Sequence, residues 1–509
     1  MKLKTEVEPR IDADERGYGG VCRNNLARSR GETHFYGRCG PSRRFFACSA
    51  IMLLATGLAF AARPSRPSPL PNFVLVVADG LRPDELGTRA VPTPALDQLA
   101  AQGIRFTQAY AGAPVDAASR AAIMTGQHTG HGRVRSELQV PLAPEDVTLA
   151  EVLRSVGYRS AAVGIWGLGW EGTTGLPTAQ GFNEFLGCLD LVHGRDDQPA
   201  FLWRNEVPFV LKGNPGPAAA ASAFEWMLRG ATNFIRINED HPFFLYFAPH
   251  LPGSSSELGA VRIPTASPFT NQTWTPSQRI RATRIAYLDE QVGKLVADLR
   301  KRNLDSETLV IVTSTASSDA ANEMTEASKP RATPLSESNL RVPLIAWWPG
   351  KIAGGRTNNR PVAAWDIVPT LAQLANAPLP KQLDGRSFSA LLLSQPPPTN
   401  STRFYWEGHA GGLSQAGRIG QWKGVRALGK PSVAVYDLEV DPTESHDLAP
   451  TRRDLVAQFE ALFAENSRTW SPPADGAVGA AGRPGYPIPT NVITQPLRTN
   501  SPPDGPATP

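Results

Sequence analysis

The sequence predicts an α/β fold with a large central mixed, mostly parallel sheet and helices on both faces. Short apolar segments rich in β-branched residues alternate with amphipathic helical segments along the chain. This is the pattern of strands that crossover helices bury on both faces. From about residue 404 the pattern changes to short segments typical of antiparallel strands, followed by one helical segment. We therefore also expect a small C-terminal α+β subdomain with an antiparallel sheet.

The N-terminal part is predicted to direct export and not to belong to the fold. Residues 45–62 form an apolar run that follows an arginine pair and ends in small residues near Ala61. This is the pattern of a signal peptide with an A-x-A cleavage site. Residues 1–62 are therefore predicted to be an N-terminal extension and signal peptide, which makes the protein periplasmic or secreted. The run also reaches the length of about 18 residues that a membrane helix needs, so an inner-membrane anchor through an uncleaved signal is the alternative.

The first predicted strand follows a Pro-rich linker at residues 63–71. Residues 72–78 are continuously apolar and β-branched, as expected of a strand buried on both faces. A helix should follow, with Thr93 as its N-cap, Pro94 as its first residue and Gly103 at its end.

Further buried strands and one long helix complete the large domain, which we place at residues 72–400. The long helix should begin after Thr275 and carries apolar residues at helical spacing from Ile285 to Leu299. The further strands are predicted at residues 160–163, 243–247, 309–313 and 344–347.

The C-terminal subdomain is placed at residues 401–470. Its predicted elements are strands at 420–427 and 433–438 and a helix at 452–466. Residues 471–509 contain many Pro and Gly residues, little apolar content and no periodicity, which is typical of a disordered tail.

Charge and cysteine content exclude two classes of protein. The chain has 51 Lys and Arg residues against 47 Asp and Glu residues, a net charge of +4 over 509 residues. This charge is too small for the basic surface that nucleic-acid binding needs, so we expect no nucleic-acid partner. Four cysteines are too few for a disulfide scaffold.

Polar residues that could carry chemistry follow the predicted strands. Asp79 comes directly after the first strand, at the sheet edge where open α/β sheets bind ligands. Residues 112–126 read GAPVDAASRAAIMTG and resemble the sulfatase signature C-x-P-x-R-A-A-x-L-T-G. Ordered similarity to sulfatases continues over about residues 71–468, in the style of bacterial arylsulfatase-like members of the alkaline phosphatase superfamily. Segments that carry it include AVGIWGLG at 162–169, GFNEF at 181–185, HPFFLY at 241–246 and RVPLIAWWPGK at 341–351.

The resemblance implies a defined chemistry. In sulfatases the signature cysteine is oxidised to formylglycine, whose hydrate attacks the sulfur of a sulfate ester. A calcium or magnesium ion polarises the sulfate and is held by two Asp after the first strand and an Asp-Asn pair after a later one. A hard cation needs several oxygen ligands and screens the charge of the ester. The implied partner is a sulfated polysaccharide or an aryl sulfate ester.

Several of the implied positions are substituted in this chain. The cysteine position holds Asp116, which cannot become formylglycine. Gly80 stands in place of the second aspartate, and Thr315 and Ala316 stand in place of the Asp-Asn pair. Calcium or magnesium remains the implied cofactor, with Asp79 and Asp116 as the candidate metal ligands. The resemblance thus predicts a sulfatase site that has lost much of its ligand set.

The resemblance also implies roles for residues outside the metal site. Asp116, Arg120 and His250 are the candidate catalytic residues, with His250 as a proton donor to the leaving alcohol. Arg120 could instead belong to a structural network, and His250 could hydrogen-bond a loop. His193 and Arg331 are candidate substrate-binding residues.

Both aspartates have structural alternatives. Asp116 could be a nucleophile, a cation ligand beside Asp79, or the N-cap of a helix predicted at residues 117–124, since Asp is among the best N-caps. We favour a cap or a relict of the site over a nucleophile. Asp79 could be a metal ligand or an Asp that shapes the turn before Gly80.

Three functions remain open. The first is an exported sulfatase-family protein with reduced or lost hydrolysis. The second is a non-catalytic pseudosulfatase that binds sulfated glycans or an active partner. The third is a metal-dependent phosphodiesterase, because residues 79–84, DGLRPD, resemble the strand end of related enzymes that use two zinc ions and a Thr nucleophile. A membrane would be a partner only through an uncleaved signal.

Overall fold

The computed structural model describes residues 70–136, 140–214, 221–253, 267–270, 272–316, 334–396, 402–409 and 412–470. The predicted signal peptide at 1–62, nearly all of the predicted linker and the predicted disordered tail at 471–509 lie outside the described residues. Within the described ranges, no helix is long and apolar enough to cross a membrane.

A large mixed sheet dominates the described part of the chain. Its order is β10-β2-β9-β8-β1-β7-β3-β4-β5-β6, with β11 also beside β2. The central strands β8, β1, β7, β3 and β4 are all parallel, whereas β9 is antiparallel to both of its neighbours. The predicted mixed, mostly parallel sheet is confirmed. The strands are β1 (Asn72–Ala78), β2 (Ile104–Tyr110), β3 (Arg159–Ile165), β4 (Glu184–Cys188), β5 (Phe201–Arg204), β6 (Val207–Val210), β7 (Phe243–Ala248), β8 (Thr308–Ser314), β9 (Arg341–Trp347), β10 (Arg356–Asn358) and β11 (Val362–Ala363).

Helices cover both faces of this sheet. The side chains of β1 alternate between the faces and all are buried. Phe73, Leu75 and Val77 pack with α2, α3 and α7, while Val74 and Val76 pack with α1, α4 and α5 on the other face. The helices are α1 (Pro94–Gln102), α2 (Asp116–Thr125), α3 (Leu149–Arg154), α4 (Ala223–Ile237), α5 (Pro276–Lys301), α6 (Glu337–Leu340), α7 (Ile367–Leu374), α8 (Ser389–Leu392) and α9 (Arg453–Asn466).

The start of α1 differs in one detail from the prediction. The helix begins at Pro94, but the Thr93 side chain makes no capping hydrogen bond. Asp289 on α5 accepts hydrogen bonds from the backbone N–H groups of Ala95 at 3.1 Å and Leu96 at 2.8 Å. A carboxylate is favourable at a helix N-terminus, so a side chain from a neighbouring helix caps α1.

The C-terminal part forms the predicted small antiparallel sheet. Its strands are β12 (Arg403–Gly408), β13 (Ser414–Ile419), β14 (Trp422–Arg426) and β15 (Ala434–Asp437), in that order. Helix α9 covers one face and buries Phe459, Leu462 and Phe463 against Tyr405 and Val435.

A buried cluster of charges joins this small sheet to the large one. Lys423 on β14 is completely buried, and its Nζ lies 3.2 Å from Glu337 Oε1 and 2.8 Å from Glu444 Oε1. Glu337 belongs to α6, which leads directly into β9. Tyr110 at the end of β2 donates its hydroxyl proton to Glu337 Oε2 at 2.8 Å. The cluster therefore contacts both sheets.

Candidate functional site

Parallel strands bring several predicted site residues to one edge of the large sheet. Strands β1, β3, β7 and β8 run in the same direction, so their carboxyl ends meet. Asp79 follows β1, His250 lies just beyond β7, and Thr315 follows β8. Backbone hydrogen bonds join these loops, from Asp79 N to Leu251 O at 2.8 Å and from Thr315 N to Ala78 O at 2.9 Å.

Asp79 is held in a buried ion pair. Its Oδ2 lies 2.6 Å from His250 Nδ1 and 3.6 Å from Arg120 Nη2. Burial by itself would raise the pKa of Asp79, but the hydrogen bond and charge of His250 and the charge of Arg120 outweigh it and hold the pKa well below the usual range. Asp79 is therefore an ionised carboxylate with bound partners.

Asp116 stands at the first turn of α2, and its predicted role as the N-cap is wrong. Val115 occupies the N-cap position, and Asp116 is the first helical residue. The Asp116 carboxylate is directed across the site, where its Oδ1 accepts the hydroxyl proton of Thr315 at 2.6 Å. Burial and the negative charge of Asp79 raise the pKa of Asp116 to about 6, against the lowering effects of Arg120 and Thr315.

Arg120 lies one turn further along α2 and is completely buried. Its Nη1 donates to Ile165 O at the end of β3 and to Tyr246 Oη on β7, both at 3.1 Å. Within the described residues, the Nε and Nη2 atoms make no hydrogen bond. Arg120 thus supplies a buried positive charge close to Asp79 that also acts on Asp116.

The long helix α5 positions the loops that carry the site. Arg284 donates from Nη2 to the backbone oxygen of His250 at 2.6 Å and from Nη1 to both carboxylate oxygens of Asp197. One turn earlier, Arg281 donates to Gly80 O at 2.6 Å and pairs with Glu85. All four charged side chains in these two pairs are nearly inaccessible to solvent, so the loops are held by interior ion pairs.

The side chains at this edge do not fit a calcium or magnesium ion. Calcium takes about six to eight oxygen ligands, and magnesium needs a near-octahedral set. Two carboxylates and one hydroxyl meet here, from Asp79, Asp116 and Thr315, and the strongest contacts of Asp79 and Asp116 are already to protein hydrogen-bond donors. Gly80 and Ala316 supply no side-chain oxygen. Backbone carbonyls and waters can complete either shell, but among the described residues the side-chain oxygens are already engaged and lie beside the buried guanidinium of Arg120, whose positive charge opposes a cation.

Of the two predicted substrate-binding residues, the structure describes only His193. His193 lies in a short 3₁₀ turn, where its Nε2 is 2.9 Å from Phe201 O and its ring packs on the Phe201 ring. Burial lowers the pKa of His193 despite the charges of Asp190 and Asp196. Arg331 lies outside the described residues.

The structure adds two residues that sequence analysis did not place in the site. Thr315 was identified only as a substitution for a metal ligand, yet it hydrogen-bonds Asp116. Tyr246 lies within a continuously buried strand and binds Arg120 through its hydroxyl. The only sequence indication for Tyr246 was a polar group in an otherwise apolar strand.

A second cluster of polar side chains lies at the opposite end of α2. His128, His131 and Asp384 have side-chain ligand atoms within 4.8 Å of one another, but they form a hydrogen-bonded group. His131 Nδ1 is 2.7 Å from Asp384 Oδ1. His128 Nδ1 accepts the Gly130 N–H, which places the proton of the neutral ring on Nε2, 3.2 Å from Asn466 Oδ1. A metal ligand needs a free lone pair on that nitrogen, so the contacts favour a structural role.

Comparisons with known proteins agree with the fold and show the family. The Sulfatase family model matches residues 71–377, and the model "N-sulphoglucosamine sulphohydrolase, C-terminal" matches residues 334–467. Arylsulfatase A of Homo sapiens is 34% identical over 401 residues, which cover 70% of this chain and 73% of that protein. N-acetylgalactosamine-6-sulfatase of Sus scrofa is 28% identical over 420 residues, 73% of this chain and 74% of that protein.

A solved structure shows the same architecture. The crystal structure of Ps i-CgsB in complex with k-i-k-neocarrahexaose superposes with a TM-score of 0.67 at 24% identity, over 80% of this chain and 95% of that chain. This structural likeness supports the fold. The match to the Sulfatase family model and the 34% identity with the human relative show that the similarity also holds for the sequence. The chain belongs to the sulfatase family.

Proposed function

We propose that this protein is a sulfatase-family member whose sulfate-ester hydrolysis is reduced or lost. The observation that carries the proposal is Asp116 at the position of the signature cysteine, hydrogen-bonded to Thr315 and facing Asp79. A carboxylate cannot be oxidised to formylglycine. As a nucleophile it would form an anhydride-like intermediate and would lack the second hydroxyl that expels sulfate.

The electrostatics of the site support the same conclusion. An ionised Asp116 about 5 Å from a bound sulfate would repel it by roughly 3 kcal/mol at an effective dielectric of about 20, more than a hundredfold in affinity. A divalent cation would screen this repulsion, but the described side chains do not form a set that fits one. Arg120 offsets part of the charge and is itself 3.6 Å from Asp79. The site is therefore poorly suited to hold a sulfate ester for attack.

The first expected result is that the purified protein does not hydrolyse an aryl sulfate such as 4-nitrophenyl sulfate when calcium is added. Asp116→Cys alone is expected to leave the activity undetectable, because the Asp and Asn side chains that the family has at positions 80, 315 and 316 are still replaced by Gly80, Thr315 and Ala316. Release of 4-nitrophenol measures the activity, with an active sulfatase assayed in parallel. Mass spectrometry of the peptide containing position 116 shows whether the introduced cysteine has been oxidised.

Two further variants separate weak catalysis from contamination. If the unmodified chain turned over the ester and Asp116→Ala abolished the activity, Asp116 would take part in catalysis and the proposal would be wrong. Turnover that survives both Asp116→Ala and Arg120→Ala would have to come from another protein in the preparation.

We also propose that the protein is exported to the periplasm or secreted. The support is the apolar run at residues 45–62 that follows an arginine pair and ends in small residues. N-terminal sequencing of the protein from fractionated cells tests the proposal. A mature chain that begins near residue 62 or 63 is expected, and a full-length chain in the cytoplasm would contradict it.

A further inference from the structure

The hydrogen-bonded group of His128, His131 and Asp384 lies where the large domain meets the C-terminal subdomain. His128 and His131 belong to the turn that follows α2, and Asp384 lies between α7 and α8. The edge of the His128 ring packs against Tyr405 on β12, with ring centroids 5.3 Å apart. Its Nε2 faces Asn466, the last residue of α9. The turn after α2 therefore contacts both the small sheet and the helix that covers it.

Two contacts of the His128 ring require its neutral form. Nδ1 accepts the backbone N–H of Gly130 at 3.1 Å, so this nitrogen carries no proton. Nε2 carries the proton and lies 3.2 Å from Asn466 Oδ1. The amide of Asn466 is oriented by its own hydrogen bond from Nδ2 to Leu462 O at 2.8 Å. Both ring nitrogens are donors in a protonated histidine, so the charged ring cannot keep the hydrogen bond that closes this turn.

The backbone of the turn is packed directly on the C-terminal subdomain. Gly130 lies so close to α9 and β12 that a Cβ on it would collide with the backbone oxygen of Asn466 and with the Tyr405 ring. Thr129 Oγ1 accepts the backbone N–H of Glu407 on β12 at 2.6 Å. A change of the backbone at residues 128–130 must therefore disturb the contacts with both elements.

Residues just beyond the turn hold the last described segment of the chain, residues 467–470. Arg135 Nη1 donates to the backbone oxygen of Arg468 at 3.0 Å. Trp470 Nε1 donates to the backbone oxygen of Arg133 at 2.9 Å. The segment that follows α9 is thus bound by the same stretch of chain that contains His128.

On the side of the large domain, Asp384 and His131 face His128. Asp384 Oδ2 lies 3.6 Å from His128 Nε2, but this oxygen accepts the backbone N–H of His128, and Oδ1 lies 2.7 Å from His131 Nδ1. The His131 and His128 ring centroids are 4.4 Å apart. Helix α9 presents the neutral amide of Asn466, and Trp365 contributes a ring contact at 5.8 Å. The carboxylate nearest to His128 is therefore already shared with other donors.

On the side of the small sheet, the charged group is Glu407. Its Oε2 lies 3.2 Å from Arg135 Nη1 and 3.1 Å from His409 Nε2. Its Oε1 accepts the hydroxyl protons of Tyr405 at 2.7 Å and Ser467 at 2.5 Å. These partners engage both oxygens, so Glu407 offers little compensating charge to the turn after α2.

These surroundings oppose a positive charge on His128. Burial is the largest effect and, with the charge of His131, lowers the pKa of His128 to about 4, although Asp384, Asn466 and Glu407 raise it. When the turn opens to water, the ring regains its ordinary pKa of 6.5. Protons therefore bind the open turn more strongly than the closed turn. The stability of the closed turn decreases as the pH falls below about 6.5.

We propose that the turn at residues 128–130 is an acid-sensitive latch, which releases the end of α9 and residues 467–470 when His128 is protonated. At neutral pH the latch is closed, because the neutral ring accepts the Gly130 N–H and faces Asn466. Protonation removes the acceptor, and the turn opens away from β12 and α9. The latch follows the last residue of α2, whereas Asp116 is the first residue of that helix. The proposal therefore does not depend on whether the protein hydrolyses sulfate esters.

Hydrogen–deuterium exchange of the full chain at pH 7.5 and pH 5.0, read by mass spectrometry and corrected for intrinsic exchange rates, tests the latch. In the wild type, exchange of peptides from residues 127–135 and 453–470 is expected to increase at least about tenfold at pH 5.0, since over this range protons bind His128 in the open turn and not in the closed one. Peptides from β1 and α5 should not change. Equal changes throughout the chain, or no change in the two latch peptides, would overturn the proposal.

His128→Asn provides a matched variant that does not titrate. Asparagine can accept the Gly130 N–H in an Asx turn, so the turn can still close, and the acid response is expected to fall below about twofold. His446→Asn, at an exposed position, is the control and should keep the full response. An acid response that persists in His128→Asn would identify another group as the sensor and contradict the proposal. The wild-type profile is decisive by itself if the variant does not fold.

Discussion

Lys423→Met is expected to lower the free energy of unfolding by about 3–5 kcal/mol, the cost of removing one member of a buried ion cluster. The Lys423 side chain is 0% exposed and lies between Glu337 and Glu444. Methionine fills a similar volume but leaves two buried carboxylates without their shared cation. Urea denaturation followed by circular dichroism measures the change.

A chemically matched pair on the surface provides the control. Lys294 and Glu290 on α5 are 2.6 Å apart, with side chains 53% and 44% exposed. Lys294→Met is expected to change stability by no more than about 0.5 kcal/mol, because exposed ion pairs contribute little. Equal effects of the two substitutions would show that the Lys423 cluster does not stabilise the join between the sheets.

The cost of Lys423→Met should also depend on pH. Burial by itself would raise the pKa of Glu337, but Lys423, then Arg341 and Arg418, lower it below its ordinary value. A lowered pKa in the folded state gives stability that is present above the ordinary value of 4.5 and is lost as the pH falls through the folded-state pKa. The difference between wild type and variant should therefore shrink in acid.

Asp116→Asn is expected to stabilise the protein by about 1–3 kcal/mol at pH 7.5. The folded-state pKa of Asp116 is about 6, above its ordinary value of 3.8. Ionisation as the pH rises through this range therefore destabilises the fold, by about 1.4 kcal/mol per pKa unit. Asparagine keeps an oxygen that can accept the Thr315 proton and removes the repulsion from Asp79. The stabilisation should disappear below about pH 4, where Asp116 is protonated in both states.

Asp79 provides a control, because its substitution should change the stability in the opposite direction. His250 and Arg120 hold the pKa of Asp79 low against burial, so Asp79→Asn is expected to destabilise the protein at neutral pH. Denaturation curves measured from pH 3 to pH 8, with EDTA and with calcium, check both variants. If calcium stabilised the wild type and Asp116→Asn removed that effect, Asp116 would be a cation ligand and our assignment of the site would be wrong.

The central architecture could be predicted from the sequence because short continuous segments of the chain indicate each strand and helix. A strand buried on both faces is continuously apolar, and residues 72–78 show this directly. Alternating strands and helices give parallel strands, and the carboxyl ends of parallel strands lie at the same edge of the sheet. The sequence therefore predicted that Asp79 and His250, which both follow strands, lie at one edge. The family signature identified Asp116 and Arg120 in the same way, because their spacing along the chain was enough.

Contacts between distant residues could not be predicted in this way. The N-cap propensity of Asp suggested that Asp116 caps its own helix. Instead, its carboxylate accepts a hydrogen bond from Thr315, which is 199 residues away. Thr93 occupies the predicted N-cap position of α1, but Asp289, 193 residues from Leu96, accepts the free backbone N–H groups of the first turn. Local propensity describes which hydrogen bonds a side chain is able to form, whereas tertiary packing determines which partner lies within reach.

The sequence by itself therefore determined the family, the strand and helix pattern and the loss of the signature cysteine, all of which can be recognised along the chain. Only the tertiary structure decided the pKa values and hydrogen-bond partners of the two aspartates, Asp79 and Asp116. Asp79 is ionised and paired with His250, whereas burial and the charge of Asp79 raise the pKa of Asp116 to about 6. The physical reason is that a pKa depends on burial and on charges within a few ångströms, and here those charges come from residues far apart in the sequence.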